Sequence, residues 1–117
     1  MRGNVLKTKS FSFAVRIVNL YKYLQTEKNE FVLSKQLLRC GTSVGAMVRE
    51  AEQGESKADF IHKLSIALKE INETLYWLEL LNETAYLSQQ QFESINADAT
   101  ELIKLLISII KTSKKLN

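Results

Sequence analysis

The sequence predicts an all-α protein, an antiparallel up-down-up-down four-helix bundle, on three observations. It holds no proline and only four glycines in 117 residues, so it lacks the turn signals that punctuate a strand-rich domain about every 8 to 12 residues. Apolar residues recur at spacings of three and four over four long stretches, the period of a helix that buries one stripe. The breaks between these stretches are short and carry helix start and stop residues, which makes successive helices antiparallel neighbours. The length fits a single domain, residues 1–117, with one core.

The first helix is expected from Ser10 to Gln25, with Ser10 or Ser12 as N-cap and Phe13, Ile17, Leu20, Tyr21 and Leu24 as the inward stripe. Residues 1–9, which carry Arg2, Lys7 and Lys9 and little apolar periodicity, read as a basic N-terminal arm. Thr26 to Asn29 makes the turn into a second helix over Glu30 to Gln53 that stops at Gly54. On that helix Leu33, Leu37, Cys40, Val44, Met47 and Ala51 form an apolar face, and Lys35, Arg39, Thr42, Ala46 and Arg49 lie opposite. Ser34, Gly41 and Gly45 remove bulk on the flank between the two. Each glycine inside a helix costs roughly 1 kcal/mol against alanine, so close approach of another helix is the expected return.

Ser56 is the expected cap of a third helix, with Asp59 three residues on in a capping-box-like arrangement. This helix runs to about Asn82 and buries Phe60, Leu64, Ala67, Leu68, Ile71, Leu75 and Leu78. The second and third helices are expected to be about 36 Å long each. Thr84 to Leu87 connects to Ser88, the cap of the fourth helix, which uses Phe92, Ile95, Ala99, Leu102, Ile103, Leu106 and Ile110 and ends near Lys114 and Lys115. Lysines there suit the negative end of a helix.

Charge is segregated along the chain although the net charge is only +3: nine basic and two acidic residues precede position 50, three basic and eleven acidic lie in 50–101, and four basic and none acidic follow. The basic first half can pair with the acidic middle, and both chain ends stay positive. Arg2, Lys7, Lys9, Lys111, Lys114 and Lys115 are therefore the candidate nucleic-acid-binding residues, contacting phosphates with little reading of bases because stacking aromatics are sparse nearby.

Apolar residues also exceed one stripe per helix. Phe11, Val15 and Val18 lie away from the first helix's core stripe in company with Lys22, and Ile66, Trp77 and Leu80 lie opposite that of the third, interleaved with Asp59, Glu70 and Glu73. The fourth helix has a stripe widened by Leu105, Ile107 and Ile109. Stripes on several helices predict a contact between copies. The expected contact sets Lys35, Arg39, Gly41, Gly45 and Arg49 of one copy against Asp59, Ile66, Glu70, Glu73 and Trp77 of the next; the alternative is that these charges pair within one copy or face water. A contact of unlike surfaces closes into a ring or runs on as a filament.

Catalytic and metal-binding readings find little support. Asp59 and His62 have the carboxylate-x-x-His spacing of bundle metal sites, but such sites need two of these elements and the chain has one histidine. Glu70 and Glu73 share a helical face without a nucleophile nearby in pattern, so ion pairing with Arg39 or Arg49 is expected of them. Cys40 sits on an apolar face with no second cysteine to bond. No enzyme activity, metal, cofactor or small-molecule substrate is expected. No apolar run reaches the roughly 20 residues of a membrane span and the first residues lack a signal-peptide core, which predicts a cytoplasmic protein with no membrane partner.

The segments SFSFA at 10–14, LSKQLL at 33–38, RCGTSVGA at 39–46, EA at 50–51, SKADF at 56–60, IALKE at 66–70 and ETLYWL at 73–78 together resemble the bacterial four-helix-bundle proteins named for intervening sequences in 23S ribosomal RNA genes. That family in turn resembles the accessory variability determinant of diversity-generating retroelements. The resemblance maps the family motif onto Arg39, Gly41, Ser43, Gly45, Glu50, Asp59, Lys69, Glu70, Glu73 and Trp77. It implies an antiparallel bundle, assembly into a homopentamer, no established enzymatic activity, and a basic surface suited to RNA or DNA. The function expected is that of a non-enzymatic homo-oligomer that binds nucleic acid or a ribonucleoprotein. The alternative is a scaffold or adaptor for a protein partner without nucleic-acid binding.

Overall fold

Leu6, Ser10, Phe13, Ile17, Leu20 and Leu24 follow one another at spacings of four and three, so they occupy a single face of one continuous helix. In the computed structural model, which describes residues 2–115 and side chains from residue 4, that helix, α1, spans Arg2–Lys28. It is followed by α2 over Leu33–Glu52, α3 over Lys57–Glu83 and α4 over Gln89–Lys115. The expected N-terminal arm is thus the first two turns of α1. Ser10 is not its cap: it lies in mid-helix, fully buried, with its hydroxyl donating to the Lys7 carbonyl at 3.1 Å. Without a proline or glycine between Leu6 and Phe13, the apolar spacing simply continues and the helix with it.

α2 begins at Leu33, three residues later than expected, because Glu30 serves as its cap from outside. The Glu30 carboxylate accepts from the backbone N–H groups of Val32, Leu33 and Ser34 at 3.2, 3.0 and 2.6 Å, and the Ser34 hydroxyl donates back to the Glu30 carbonyl at 2.9 Å. These bonds satisfy donors that a helix start leaves without partners. At 20 residues α2 is about 30 Å long, and the 27 residues of α3 reach about 40 Å, so the equal lengths expected of them are corrected. Ser56 caps α3 as expected, its Oγ accepting from Asp59 N–H at 3.0 Å. Ser88 and Gln91 form a reciprocal capping box at α4, with bonds of 3.0 and 2.9 Å. α1 and α3 each end on a residue in the left-handed region, Asn29 at φ 54° and Ala85 at φ 67°.

Cross-helix pairs establish the topology. Lys7 meets Glu52 and Ile17 covers Gly41, Glu50 meets Lys63 and Arg39 meets Glu70, and Lys9 and Arg16 meet Glu101 and Asp98. In each of these helix pairs one number rises as the other falls, so the neighbours are antiparallel. α1 packs on α2, α2 on α3, α3 on α4 and α4 on α1, with no diagonal packing among the described residues. The result is a rod of 49 × 21 × 20 Å. Its axis is filled by Phe13, Ile17, Leu37, Val44, Leu64, Ile71, Leu78, Leu102 and Leu106, all at most 1% exposed.

Candidate interaction surfaces

Up-down-up-down winding brings the start of α1, the end of α2, the start of α3 and the end of α4 to one end of the rod. That end collects the basic residues expected to bind nucleic acid, but not in equal condition. Lys7 pairs with Glu52 at 3.4 Å and Lys9 with Glu101 at 3.1 Å, so both have a counter-charge within the chain. The Arg2 side chain lies outside the described residues. Lys111, Lys114 and Lys115 are exposed and have no acidic partner among the described residues.

Two lysines not singled out in the sequence join them. Lys104 stands about two and three helical turns before Lys111 and Lys115 on the same outward face of α4, a row about 16 Å long. Lys57 is exposed in the first turn of α3 at the same end. The 104, 111, 115 spacing was the sequence signal for the first; nothing short of the topology locates the second.

The expected contact residues separate into two groups. Arg39 is held within its own chain: its guanidinium donates to Glu70 at 3.3 Å and to Glu73, and the same Glu73 oxygen accepts from the Trp77 indole N–H at 3.1 Å. Acid does meet base across α2 and α3, but inside one copy, so these four residues need no second chain to satisfy them. Gly41 is fully buried under α1 and cannot face another copy. A Cβ at its position would lie 2.8 Å from the Ile17 branch carbons. Gly45 also faces α1, where a Cβ would lie 3.3 Å from the Ser10 carbonyl oxygen. The close approach read from these glycines is therefore α1 of the same chain, which corrects the assignment of Gly41 to an interface, while Gly45 stays half-buried beside Phe11 and Arg49. Asp59 is engaged at the start of α3, accepting from Glu55 N–H at 3.4 Å, and Ile66 is half-buried. Lys35 and Arg49 remain outward. The Arg49 guanidinium lies 5.3 Å above the Phe11 ring, a cation–π contact between α2 and α1.

Three further features define what the surface can do. A shallow cleft of about 510 Å³ opens between α1 and α4, lined by Arg16, Asn19, Tyr23, Gln90, Gln91 and Ser94 over Leu20 and Ile95. Arg16 in its wall is already spent on Asp98 at 2.7 Å and on Ser94. Cys40 is buried, and burial raises its thiol pKa, which keeps it in the unreactive protonated form. His62 is exposed, and among the described residues no group of three or more His, Cys, Asp or Glu side chains gathers as metal ligands. No helix among the described residues is long and apolar enough to cross a membrane.

Comparison with known proteins agrees on one family. The sequence profile of the 23S rRNA-intervening sequence protein family matches residues 3–108. A crystal structure of a protein of unknown function from the S23 ribosomal protein family of Bacteroides thetaiotaomicron VPI-5482 is 68% identical, covers 95% of this chain and 99% of its own, and superposes with a TM-score of 0.94. No curated protein matches the sequence.

Proposed function

The chain belongs to the 23S rRNA-intervening sequence protein family, and from that premise we propose that it is a non-enzymatic, self-associating bundle of the cytoplasm that binds RNA or DNA through the basic end of its rod. One observation carries the reading: Lys57, Lys111, Lys114 and Lys115 stand exposed at that end, with Lys104 further back along α4, and none has an ion-pair partner among the described residues, while Lys7, Lys9 and Lys63 are paired. Unpaired, flexible ammonium groups attract phosphate and release its counterions, a sequence-independent interaction. Ionic contacts from one end are individually weak. Several copies standing side by side, five by the family resemblance, would present several such ends together and raise binding through effective concentration.

The test is a titration of a labelled single-stranded RNA at several salt concentrations. The logarithm of affinity is expected to fall linearly with the logarithm of salt, with a slope of roughly −0.7 per phosphate neutralised. The variant Lys111→Glu/Lys114→Glu/Lys115→Glu is expected to weaken binding and flatten that slope while leaving helicity unchanged. A slope near zero for the wild-type protein, or a triple variant that binds like it, would refute phosphate recognition by this end.

A further inference from the structure

The seam between α1 and α4 is tied together toward the basic end of the rod and open toward the other. Lys9–Glu101 at 3.1 Å and Arg16–Asp98 at 2.7 Å cross it, and Arg16 also reaches Ser94. Beyond Arg16 no ion pair crosses the seam among the described residues, and the cleft of about 510 Å³ opens there, a volume within the range of small-molecule sites. Its floor is apolar, made by Leu20 and the buried Ile95, and the half-buried Tyr23 adds an aromatic wall.

The rim is polar and uncommitted. The amides of Asn19 and Gln90 and the Tyr23 hydroxyl have no hydrogen-bond partner among the described residues. The Gln91 side-chain oxygen accepts from the Ser88 N–H at 2.9 Å, which leaves its amide N–H groups to donate elsewhere. Charges within a turn of the lining residues on α1 and α4 are Arg16 and Asp98, which pair with each other, and the exposed Lys22, Glu27 and Glu93, which have no ion-pair partner among the described residues. Their sum is one negative charge, so the cleft does not attract an anion.

Different ligand chemistries use different parts of this surface. An aliphatic chain would cover Leu20 and Ile95 but strand the amides beside it without partners. A sugar would use the amides and leave the apolar floor and the Tyr23 ring idle. A planar heterocycle uses both, its faces against Leu20, Ile95 and Tyr23 and its edge toward side-chain amides that each carry a donor beside an acceptor. We propose that the α1/α4 cleft binds an adenine base or nucleoside that carries no phosphate. A carboxamide donates to N7 of adenine and accepts from its N6 amino group as a bidentate pair, and Asn19 and Gln90 offer such amides from the two facing helices. The negative surroundings select against phosphate, so the ligand is a free base or nucleoside and not a nucleotide or a strand of RNA. The site lies apart from the basic end of the rod and does not depend on RNA binding there.

The test is isothermal titration calorimetry of the full chain with adenosine, adenosine 5′-monophosphate and ribose, with side-chain amide NMR signals followed in parallel. Adenosine is expected to bind, with the largest shift changes at Asn19, Gln90 and Gln91. The monophosphate is expected to bind more weakly, and ribose not at all. Asn19→Ala/Gln90→Ala, at two exposed positions where circular dichroism should show an unchanged fold, is expected to weaken adenosine binding about tenfold through the loss of its hydrogen bonds. Lys111→Glu/Lys114→Glu/Lys115→Glu is expected to bind adenosine like the wild-type protein, which separates this site from recognition of RNA. Absence of adenosine binding at millimolar concentration, a monophosphate that binds as tightly as adenosine, or a double alanine variant of unchanged affinity overturns the proposal. Shift changes confined to residues outside the cleft overturn it as well. RNA affinity is read separately and bears on the basic end alone.

Discussion

Glu30 shows how one side chain can both start a helix and tie stability to pH. Burial alone would raise its pKa, but the hydrogen bonds donated by the backbone N–H groups of Leu33, Ser34 and Val32 outweigh that effect and hold the carboxyl below its ordinary value. A carboxyl whose pKa is lowered by folding adds stability in full above its unfolded-state pKa, and that stability is lost as pH falls through the folded value. Glu30→Gln is therefore expected to lower stability at pH 7 by about 1 kcal/mol, the usual cost of a lost helix cap. The gap between variant and wild type should close below pH 4 or so in urea titrations run across pH. Ala85 offers the opposite case. At φ 67° its Cβ crowds the backbone where α3 ends, although Tyr86 N–H closes the turn onto Leu81 at 2.9 Å as a glycine would allow. Ala85→Gly is expected to raise stability by about 1 kcal/mol, measured as an upward shift of the urea midpoint with unchanged slope.

At the level of the helix, the two glycines of α2 look alike in sequence and differ in what lies above them. A methyl at Gly41 would meet the stiff, β-branched Ile17 at 2.8 Å in a region with no room to yield. Gly41→Ala is expected to destabilise by about 1 to 3 kcal/mol, in the range of overpacked cores. At Gly45 the nearest atom is the Ser10 carbonyl oxygen at 3.3 Å, and the helix gains roughly 1 kcal/mol from losing a glycine. Gly45→Ala is expected to fall within about 0.5 kcal/mol of wild type, so the pair of thermal midpoints separates close packing from propensity. The sequence announced that α2 would be approached closely, and the approach is real. It does not say by what, because the sequence places Ser10, which lies against Gly45, at the very start of α1. The run around Thr8, Lys9 and Ser10 is polar, and Leu6 alone marks the core-facing position one turn earlier.

Over the whole rod, charge pairing sorts the basic residues into those spent on folding contacts and those left over. Lys9–Glu101, Arg16–Asp98, Lys63–Glu50 and Arg39 with Glu70 and Glu73 stitch neighbouring helices at the surface, where such pairs are each worth at most about 1 kcal/mol. Replacing Lys111, Lys114 and Lys115, which have no acidic partner among the described residues, together by Gln should accordingly shift the thermal midpoint by no more than a degree or two, while removing Arg39 should cost more because Glu70 and Glu73 lose their shared partner. Differential scanning calorimetry of the two variants side by side checks this.

Periodicity, caps and the absence of breakers were enough to determine four helices, their order, the α3 cap at Ser56, and the apolar residues that meet at the axis. Each of these depends on residues within a few turns of one another, and helical geometry converts their spacing directly into faces. The tertiary structure alone decided that Gly41 lies beneath Ile17, that Arg39 answers Glu70 and Glu73 of its own chain, and that Lys9 pairs with Glu101 while Lys111 has no acidic partner among the described residues. Those outcomes depend on which side chain of a distant helix arrives opposite a given face, and spacing along one helix carries no information about what arrives.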